Sequence, residues 1–118
     1  MIPAGVQIFV AVEPVDMRYG FERLSGLVRA QFGYEARSGA LFVFVGKRRI
    51  TLKILFFDGN GICLFYKRLD RGTFALPEAP APGVGHVEVD DATLNALLDG
   101  LAIGPVEEST PRARRRIH

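Results

Sequence analysis

Short apolar segments separated by turn-forming residues run along the chain, and their spacing predicts the order of its strands and helices. Within residues 6–12 only Gln7 is polar, which predicts a strand covered on both faces. Pro14 ends that strand. Asp16 stands where a helix N-cap belongs, because its carboxylate can accept hydrogen bonds from the first unpaired backbone N–H groups.

A helix is predicted over residues 17–32, where apolar side chains recur at helical spacing. Gly33 can take the left-handed conformation that ends such a helix. The predicted core stripe of this helix consists of Met17, Phe21, Leu24, Val28 and Phe32.

Three further apolar segments predict an antiparallel meander. The segment 41–45 contains no polar residue and should be the central strand, and strands over 49–57 and 62–69 follow it. The sequence Asp58-Gly59-Asn60-Gly61 between the last two strands is a strong hairpin signal, because Asn and Gly tolerate positive φ. The helix stripe is predicted to pack on the sheet face that carries Val43, Leu52, Ile54 and Phe65.

The even length of this turn predicts which side chains share a face of the hairpin. One face is apolar apart from Lys67, and the other face carries Tyr66 among its larger side chains. The basic side chains predicted to gather at the end of the hairpin far from the turn are Lys47, Arg48, Arg49, Lys53 and Arg68.

The last third of the chain predicts smaller elements. Residues 72–76 are a candidate short strand, and residues 86–89 are a candidate edge strand. Asp90 or Asp91 is placed to cap a closing helix. The apolar face of that helix is formed by Leu94, Leu97, Leu98 and Leu101.

The fold class predicted from these elements is α+β, with an antiparallel β-meander sheet packed by an N-terminal helix and a short C-terminal helix. A length of 118 residues fits one domain. That domain is predicted to span residues 1–103. Residues 104–118 form a Pro-, Glu- and Arg-rich basic tail that is predicted to be disordered.

Charge is distributed unevenly along the chain, although the formal net charge is only +2. Residues 47–76 hold seven basic side chains against Asp58 and Asp70, a net charge of +5. Residues 77–103 hold five acidic side chains and no Lys or Arg, a net charge of −5. A local positive field attracts polyanions even where the total charge is small. The alternative is that these charges belong to scattered, solvated side chains.

Sequence motifs typical of catalysis or metal binding are absent. His86, His118 and the single cysteine, Cys63, lack the spacing of metal ligands. There is no phosphate-binding loop, nucleophile elbow or dinucleotide fingerprint. Asp16 and Asp58 each have a structural role, as cap and turn residue. We therefore expect a protein that is not an enzyme and binds no cofactor, metal or small-molecule substrate.

Compartment is indicated by cysteine use and by the length of the apolar runs. One cysteine cannot form an internal disulfide, which suits a reducing compartment, and Cys63 is interpreted as a small core hydrophobe. The longest apolar runs fall far short of the ~20 residues that a membrane span needs. The first residues also lack the pattern of a secretory signal. A cytoplasmic protein without membrane association is expected.

Five blocks of sequence, at 5–6, 15–24, 39–44, 53–74 and 97–100, form an ordered string of motifs. The most specific block is Lys53-Ile54-Leu55-x-x-Asp58-Gly59-x-Gly61-x-Cys63-Leu64-x-x-Lys67-Arg68-Leu69-x-x-Gly72-x-Phe74. Over about residues 2–102 the chain resembles the accessory protein TnpB of insertion sequences of the sixty-six type, which is distinct from the RNA-guided nuclease of that name. The resemblance implies a role in transposition beside a separate transposase, which carries the cutting and joining chemistry.

In the setting that the resemblance implies, the expected activity is binding of DNA or of the transposase through the basic hairpin. The expected partners are thus the transposase, other proteins of the same element, and DNA. Tyr66 and Phe65 are placed to stack on bases, although aromatic strand residues more often belong to a core. Two alternatives stay open: a protein-interaction module that does not bind DNA, and a small hydrolase or nuclease. The candidate binding residues are Arg18, Lys47, Arg48, Arg49, Lys53, Lys67 and Arg68.

Overall fold

The structure is a computed structural model in which residues 5–101 are described. Their elements combine strands and helices, so the predicted α+β class is confirmed. In chain order the elements are β1 (Ile8–Ala11), α1 (Phe21–Leu27), a π-helical segment (Val28–Phe32), a 3-10 turn (Ala36–Ser38), β2 (Leu41–Val45), β3 (Thr51–Phe57), β4 (Ile62–Arg68), β5 (His86–Val89) and α2 (Asp91–Leu98).

The five strands form one sheet in the order β4-β3-β2-β1-β5. The meander β2-β3-β4 is antiparallel, as predicted, and β5 is the predicted edge strand, paired antiparallel with β1. However, β1 runs parallel to β2 with Phe9 opposite Phe42, so the sheet is mixed and the prediction of a purely antiparallel sheet is wrong. Parallel neighbours need a long crossover connection. The chain between β1 and β2 supplies it and contains α1, which therefore follows the first strand.

Both faces of the sheet are buried, because successive strand residues point to opposite sides and the central strands are apolar at every position. One apolar cluster lies on the face that α2 covers and includes Ile8, Val10, Val43, Val45, Leu52, Ile54, Phe74, Leu94 and Leu97. The other cluster lies on the face that α1 covers and includes Phe9, Leu24, Val28, Phe32, Phe42, Phe44 and Leu55.

The predicted packing partners of the first helix are wrong. Leu24 and Val28 share their cluster with Phe42 and Leu55, and not with the predicted set Val43, Leu52, Ile54 and Phe65, which lies on the α2 side. The strand pattern of β2 is apolar on both faces and therefore cannot indicate which helix covers which face. The path of the crossover between β1 and β2 decides it.

The first helix begins at Phe21, four residues later than predicted, and Asp16 is not its N-cap. Gly20 occupies the N-cap position, with the amide of Leu24 donating to its carbonyl at 3.0 Å. The carbonyl groups of Met17 and Tyr19, which a longer helix would use internally, accept hydrogen bonds from Lys53 instead. Phe21 is 50% exposed, so the buried stripe of the helix begins at Leu24.

In the last third of the chain, residues 72–76 and Leu101 differ from the prediction, whereas the cap of α2 agrees with it. Residues 72–76 form no strand, and Phe74 is instead a buried core residue whose amide donates to the carbonyl of Arg49 at 2.6 Å. Asp90 caps α2 as predicted, accepting from the amide of Thr93 at 2.8 Å. Gly100, at φ 74°, ends that helical path, and Leu101 is exposed rather than part of its apolar face.

No helix within residues 5–101 is long and apolar enough to cross a membrane. The predicted tail, 104–118, lies outside the described residues. The assignment of one domain to residues 1–103 stays a prediction.

Candidate functional site

The pairing of β3 with β4 fixes the direction of the hairpin side chains as the turn length predicts. Lys53 lies opposite Tyr66, and Thr51 lies opposite Arg68, so these four share one face. Lys67 lies opposite Leu52 and points to the other face, toward the cluster beneath α2. Because β4 is an edge strand, its outer side has no neighbouring strand within the described residues.

An open groove of about 440 Å³, here called the basic groove, lies beside this end of the hairpin. It collects side chains from three separate parts of the chain: the turn after β1, the β2–β3 connection with the start of β3, and the end of β4. Four of its lining residues are cationic and one carries a carboxylate, which gives a net charge of +3. The lining residues are Asp16, Met17, Arg18, Lys47, Arg48, Ile50, Thr51, Tyr66 and Arg68.

One wall of the basic groove is the turn 16–19, which the amide of Tyr19 closes by donating to the carbonyl of Asp16 at 3.1 Å. Within this turn the Asp16 carboxylate accepts two side-chain hydrogen bonds from Arg18, from Nε at 3.0 Å and from Nη2 at 2.6 Å. It also accepts the Arg18 amide at 2.9 Å. These bonds, with a smaller contribution from the charge of Lys47, hold the pKa of Asp16 well below its usual range.

The geometry of this ion pair exposes the cation and covers the anion. The Arg18 side chain is 90% exposed, whereas that of Asp16 is only 21% exposed. The less exposed Asp16 carboxylate therefore fixes the orientation of the Arg18 guanidinium, and the remaining N–H groups of Arg18 face solvent.

The opposite wall is the tight connection from β2 to β3, in which Lys47 and Arg48 are exposed. The amide of Arg49 donates to the Gly46 carbonyl at 2.9 Å, which closes a turn over residues 46–49. A Cβ at Gly46 would lie 2.5 Å from Thr51 Oγ1 and 2.7 Å from Met17 Cγ. Only glycine therefore allows the two walls to approach this closely.

The same junction ties the walls together through the backbone. Val15 forms a parallel bridge with Gly46, and its amide donates to the Val45 carbonyl at 2.9 Å. Arg18 on one wall and Lys47 and Arg48 on the other are thus held on a common backbone frame rather than on independent loops.

Lys53 reaches across from the sheet to support the first wall. Its Nζ donates to the carbonyl of Met17 at 2.7 Å and to that of Tyr19 at 2.8 Å. It also lies 5.5 Å from the centroid of the Tyr66 ring. The ammonium group of Lys53 is therefore engaged in holding the turn that carries Arg18.

The remaining candidate cations lie elsewhere. Lys67 donates from Nζ to the carbonyl of Leu98 at 2.7 Å, where a cation compensates the unpaired carbonyl groups at the end of α2. Arg49 is exposed and does not line the groove. Its backbone adopts φ 61° and accepts the Phe74 amide, so its position serves the packing of Phe74. Of the seven predicted residues the groove brings together Arg18, Lys47, Arg48 and Arg68.

Sequence reasoning missed the role of Asp16 as the partner of Arg18. The available signals were the Asp-x-Arg spacing of Asp16 and Arg18, and Gly20 directly before the helix, since glycine is an acceptable N-cap. Together these favour a turn over an early helix start.

The hairpin turn at the far end of β3 and β4 has the structural role assigned to it. Asp58 Oδ1 accepts the amides of Asn60 at 3.1 Å and Gly61 at 3.0 Å, and these bonds lower the pKa of Asp58. Cys63 beside it is half-buried, and burial raises the pKa of its thiol. Over residues 5–101 no three His, Cys, Asp or Glu side chains are grouped so that they could hold a metal ion.

Comparison with known proteins identifies the family of this chain. The model of a family described as IS66 Orf2 like protein matches residues 6–108. The chain belongs to this family. The resemblance inferred from the sequence motifs is therefore confirmed.

Two relatives of this IS66 Orf2-like protein come from Sinorhizobium fredii (strain NBRC 101917 / NGR234). The uncharacterized protein y4hO is 40% identical over 103 residues, which cover 86% of this chain and 87% of the relative. The uncharacterized protein y4jC is 35% identical over 97 residues, which cover 82% and 80% respectively. No solved structure matches the chain.

Family membership gives the biological setting of this chain. An IS66 Orf2-like protein is an accessory protein associated with an insertion sequence, which is an element that moves by transposition. The family does not correspond to a known enzyme class.

Proposed function

We propose that this IS66 Orf2-like protein serves transposition by binding the sugar-phosphate backbone of DNA through the basic groove, beside a separate transposase. The observation that carries the proposal is the convergence of Arg18, Lys47, Arg48 and Arg68 on one open groove, where among the described residues Asp16 supplies the only carboxylate.

The pairing of these cations supports an external anionic ligand. Within residues 5–101 the ion pairs are Arg18–Asp16 and Arg29–Glu35. Lys47, Arg48 and Arg68 therefore form no ion pair in that part of the chain, although they share a groove and the charge of Lys47 acts weakly on Asp16. Like charges that are gathered in this way repel one another unless an anion offsets them.

The residue types also suit phosphate. Three of the four cations are arginines, whose planar guanidinium groups can donate two parallel hydrogen bonds to one phosphate. DNA presents phosphates at regular spacing, and their neutralisation releases condensed counterions, which drives binding. Asp16 orients the Arg18 guanidinium before the ligand arrives, which lowers the entropic cost of binding.

The test is the salt dependence of binding to a labelled duplex. Four phosphate contacts predict a slope of about −3.6 in log affinity against log salt, which is a loss of roughly 150-fold between 50 and 200 mM. Removing two contacts by Arg48→Gln with Arg68→Gln should reduce the slope to about −1.8 and the loss to roughly 12-fold. The matched control is Arg37→Gln with Arg71→Gln, which removes the same charge from exposed residues outside the groove.

A groove double variant that keeps the slope of the unmodified protein would show that the groove is not the phosphate site. If the unmodified protein binds no DNA but retains the purified transposase of its element, and the groove variant loses that retention, the groove binds an acidic protein surface instead. If the groove variant keeps both DNA binding and retention of the transposase, the cations of the groove are only solvated side chains.

A further inference from the structure

Tyr66 is a large aromatic side chain that the fold leaves uncovered inside the basic groove. It is 54% exposed and lines the groove two residues before Arg68. Its neighbour Phe65 points to the other face and packs against the apolar cluster beneath α2. The two aromatic residues thus have different roles, and only Tyr66 presents its ring to a ligand of the groove.

Lys53 lies against one side of the Tyr66 ring, and the other side of the ring is uncovered within the described residues. Lys53, its partner across the hairpin, lies with Nζ 5.5 Å from the ring centroid and is itself held by two backbone carbonyls. β4 is the edge strand, so no described strand covers the outer side of Tyr66.

An exposed ring among cations matches the chemistry of unpaired nucleotides. Proteins that bind single strands combine cationic contacts to the backbone with aromatic side chains on which bases stack. Inside a duplex both faces of each base are covered by neighbouring base pairs, so only the two terminal base pairs of a blunt duplex offer Tyr66 a face to stack on. A groove of about 440 Å³ has the size of a small-molecule site, so it can enclose a nucleotide, whereas a duplex can only lay its phosphate backbone along the open side.

We propose that the basic groove binds an unpaired nucleotide of DNA, with its base stacked on Tyr66 and its flanking phosphates held by Lys47, Arg48 and Arg68. The inference rests on the proposed function and names the form of DNA that the groove selects. Base identity has little influence on such binding, because every base presents a similar face to an aromatic ring.

The test compares three labelled DNA ligands at one salt concentration: a 15-nucleotide single strand, a 15-base-pair blunt duplex, and that duplex with a short unpaired extension. The unmodified protein should bind the single strand and the extended duplex more tightly than the blunt duplex. Tyr66→Leu should weaken binding of the two unpaired ligands by roughly 5- to 150-fold and weaken blunt-duplex binding much less, because the cations of the groove are retained. Tyr66→Phe keeps the ring and should bind like the unmodified protein.

Tyrosine fluorescence supplies a readout that affinity alone does not. The chain has three tyrosines and no tryptophan, so stacking on Tyr66 should quench a measurable part of its emission when the single strand is added. In Tyr66→Phe that quenching should disappear while affinity is retained. Thermal unfolding followed by circular dichroism checks the fold of each variant. If Tyr66→Leu unfolds, Tyr66→Thr removes the ring with a residue that suits an edge strand.

The outcomes separate this inference from the function on which it rests. Equal affinity of the unmodified protein for blunt and unpaired DNA, or an unchanged affinity of folded Tyr66→Leu for the single strand, would overturn the stacking role and leave phosphate binding intact. If no form of DNA binds with a salt-dependent affinity, the proposed function itself fails, and the inference fails with it.

Discussion

Replacing Lys53 by Met removes an ammonium group that joins the sheet to the turn carrying Arg18. Lys53 Nζ donates to the carbonyls of Met17 at 2.7 Å and Tyr19 at 2.8 Å, and the contact is partly buried. Methionine retains much of the apolar stem, so the change removes two charge-assisted hydrogen bonds with little loss of packing.

The expected cost follows from these two bonds. A hydrogen bond to a charged group contributes ~1.5–3 kcal/mol to stability. Water can hydrate the two carbonyls in part after the substitution, because the site is only partly buried. We therefore expect the free energy of unfolding to fall by about 2–3 kcal/mol, at or just below the lower limit of the ~3–6 kcal/mol that two such bonds would give.

Urea unfolding followed by circular dichroism measures this difference, with an expected decrease of about 1–2 M in the midpoint. The matched control is Lys47→Met, which removes the same charge from an exposed groove residue and should stay within about 0.5 kcal/mol. For DNA binding the ranking should be reversed. Lys47→Met should weaken binding more than Lys53→Met does, because Lys47→Met loses a phosphate contact. A Lys53→Met protein as stable as the control would refute the assignment of Lys53 to structure.

Three further predictions test the packing and the turn. Leu24→Ala and Leu94→Ala should each cost ~2–5 kcal/mol, and because these fully buried residues lie on opposite faces of the sheet their effects should add when unfolding of the double variant is measured. Gly46→Ala should cost about 1–3 kcal/mol through overpacking, and combining it with Thr51→Ala should recover part of that loss in the same assay. Because the folded-state pKa of Asp16 is depressed below its ordinary 3.8, its contribution to stability is present above that value and is lost as pH falls. Melting temperatures of the unmodified protein and Asp16→Asn should thus differ at pH 7, and the difference should shrink progressively as pH falls below about 4; a constant difference down to pH 2 would contradict this.

Features that depend on residues close together in the chain were predictable from the sequence. The register of β3 and β4 follows from the Asp58 turn, whose carboxylate binds amides two and three residues away. The Asp90 cap of α2 is equally local, because Asp90 accepts a hydrogen bond from the amide three residues later. The apolar run of β2 indicates a central strand because no polar residue interrupts it. Such signals are readable because the interacting partners lie within one turn of each other.

The candidate site was predictable only to the extent that it follows from this register. Hairpin parity directs Arg68 to the face of Tyr66, and the short connection brings Lys47 and Arg48 beside it. Parity also assigns Lys53 to that face, but it cannot indicate that the ammonium group is already bound to carbonyls more than thirty residues earlier in the chain.

Tertiary structure alone decided the parallel pairing of β1 with β2 and the face that each helix covers, and it fixed the start of α1. A helix beginning at residue 17 is locally acceptable, yet the carbonyls of Met17 and Tyr19 accept hydrogen bonds from Lys53. Hairpin parity directs Lys67 to the other face, but only the tertiary structure shows that its ammonium group binds the end of α2, thirty-one residues away. Each outcome depends on contacts between segments that are distant in sequence. Local periodicity and turn chemistry carry no information about those contacts, because they depend only on neighbouring residues.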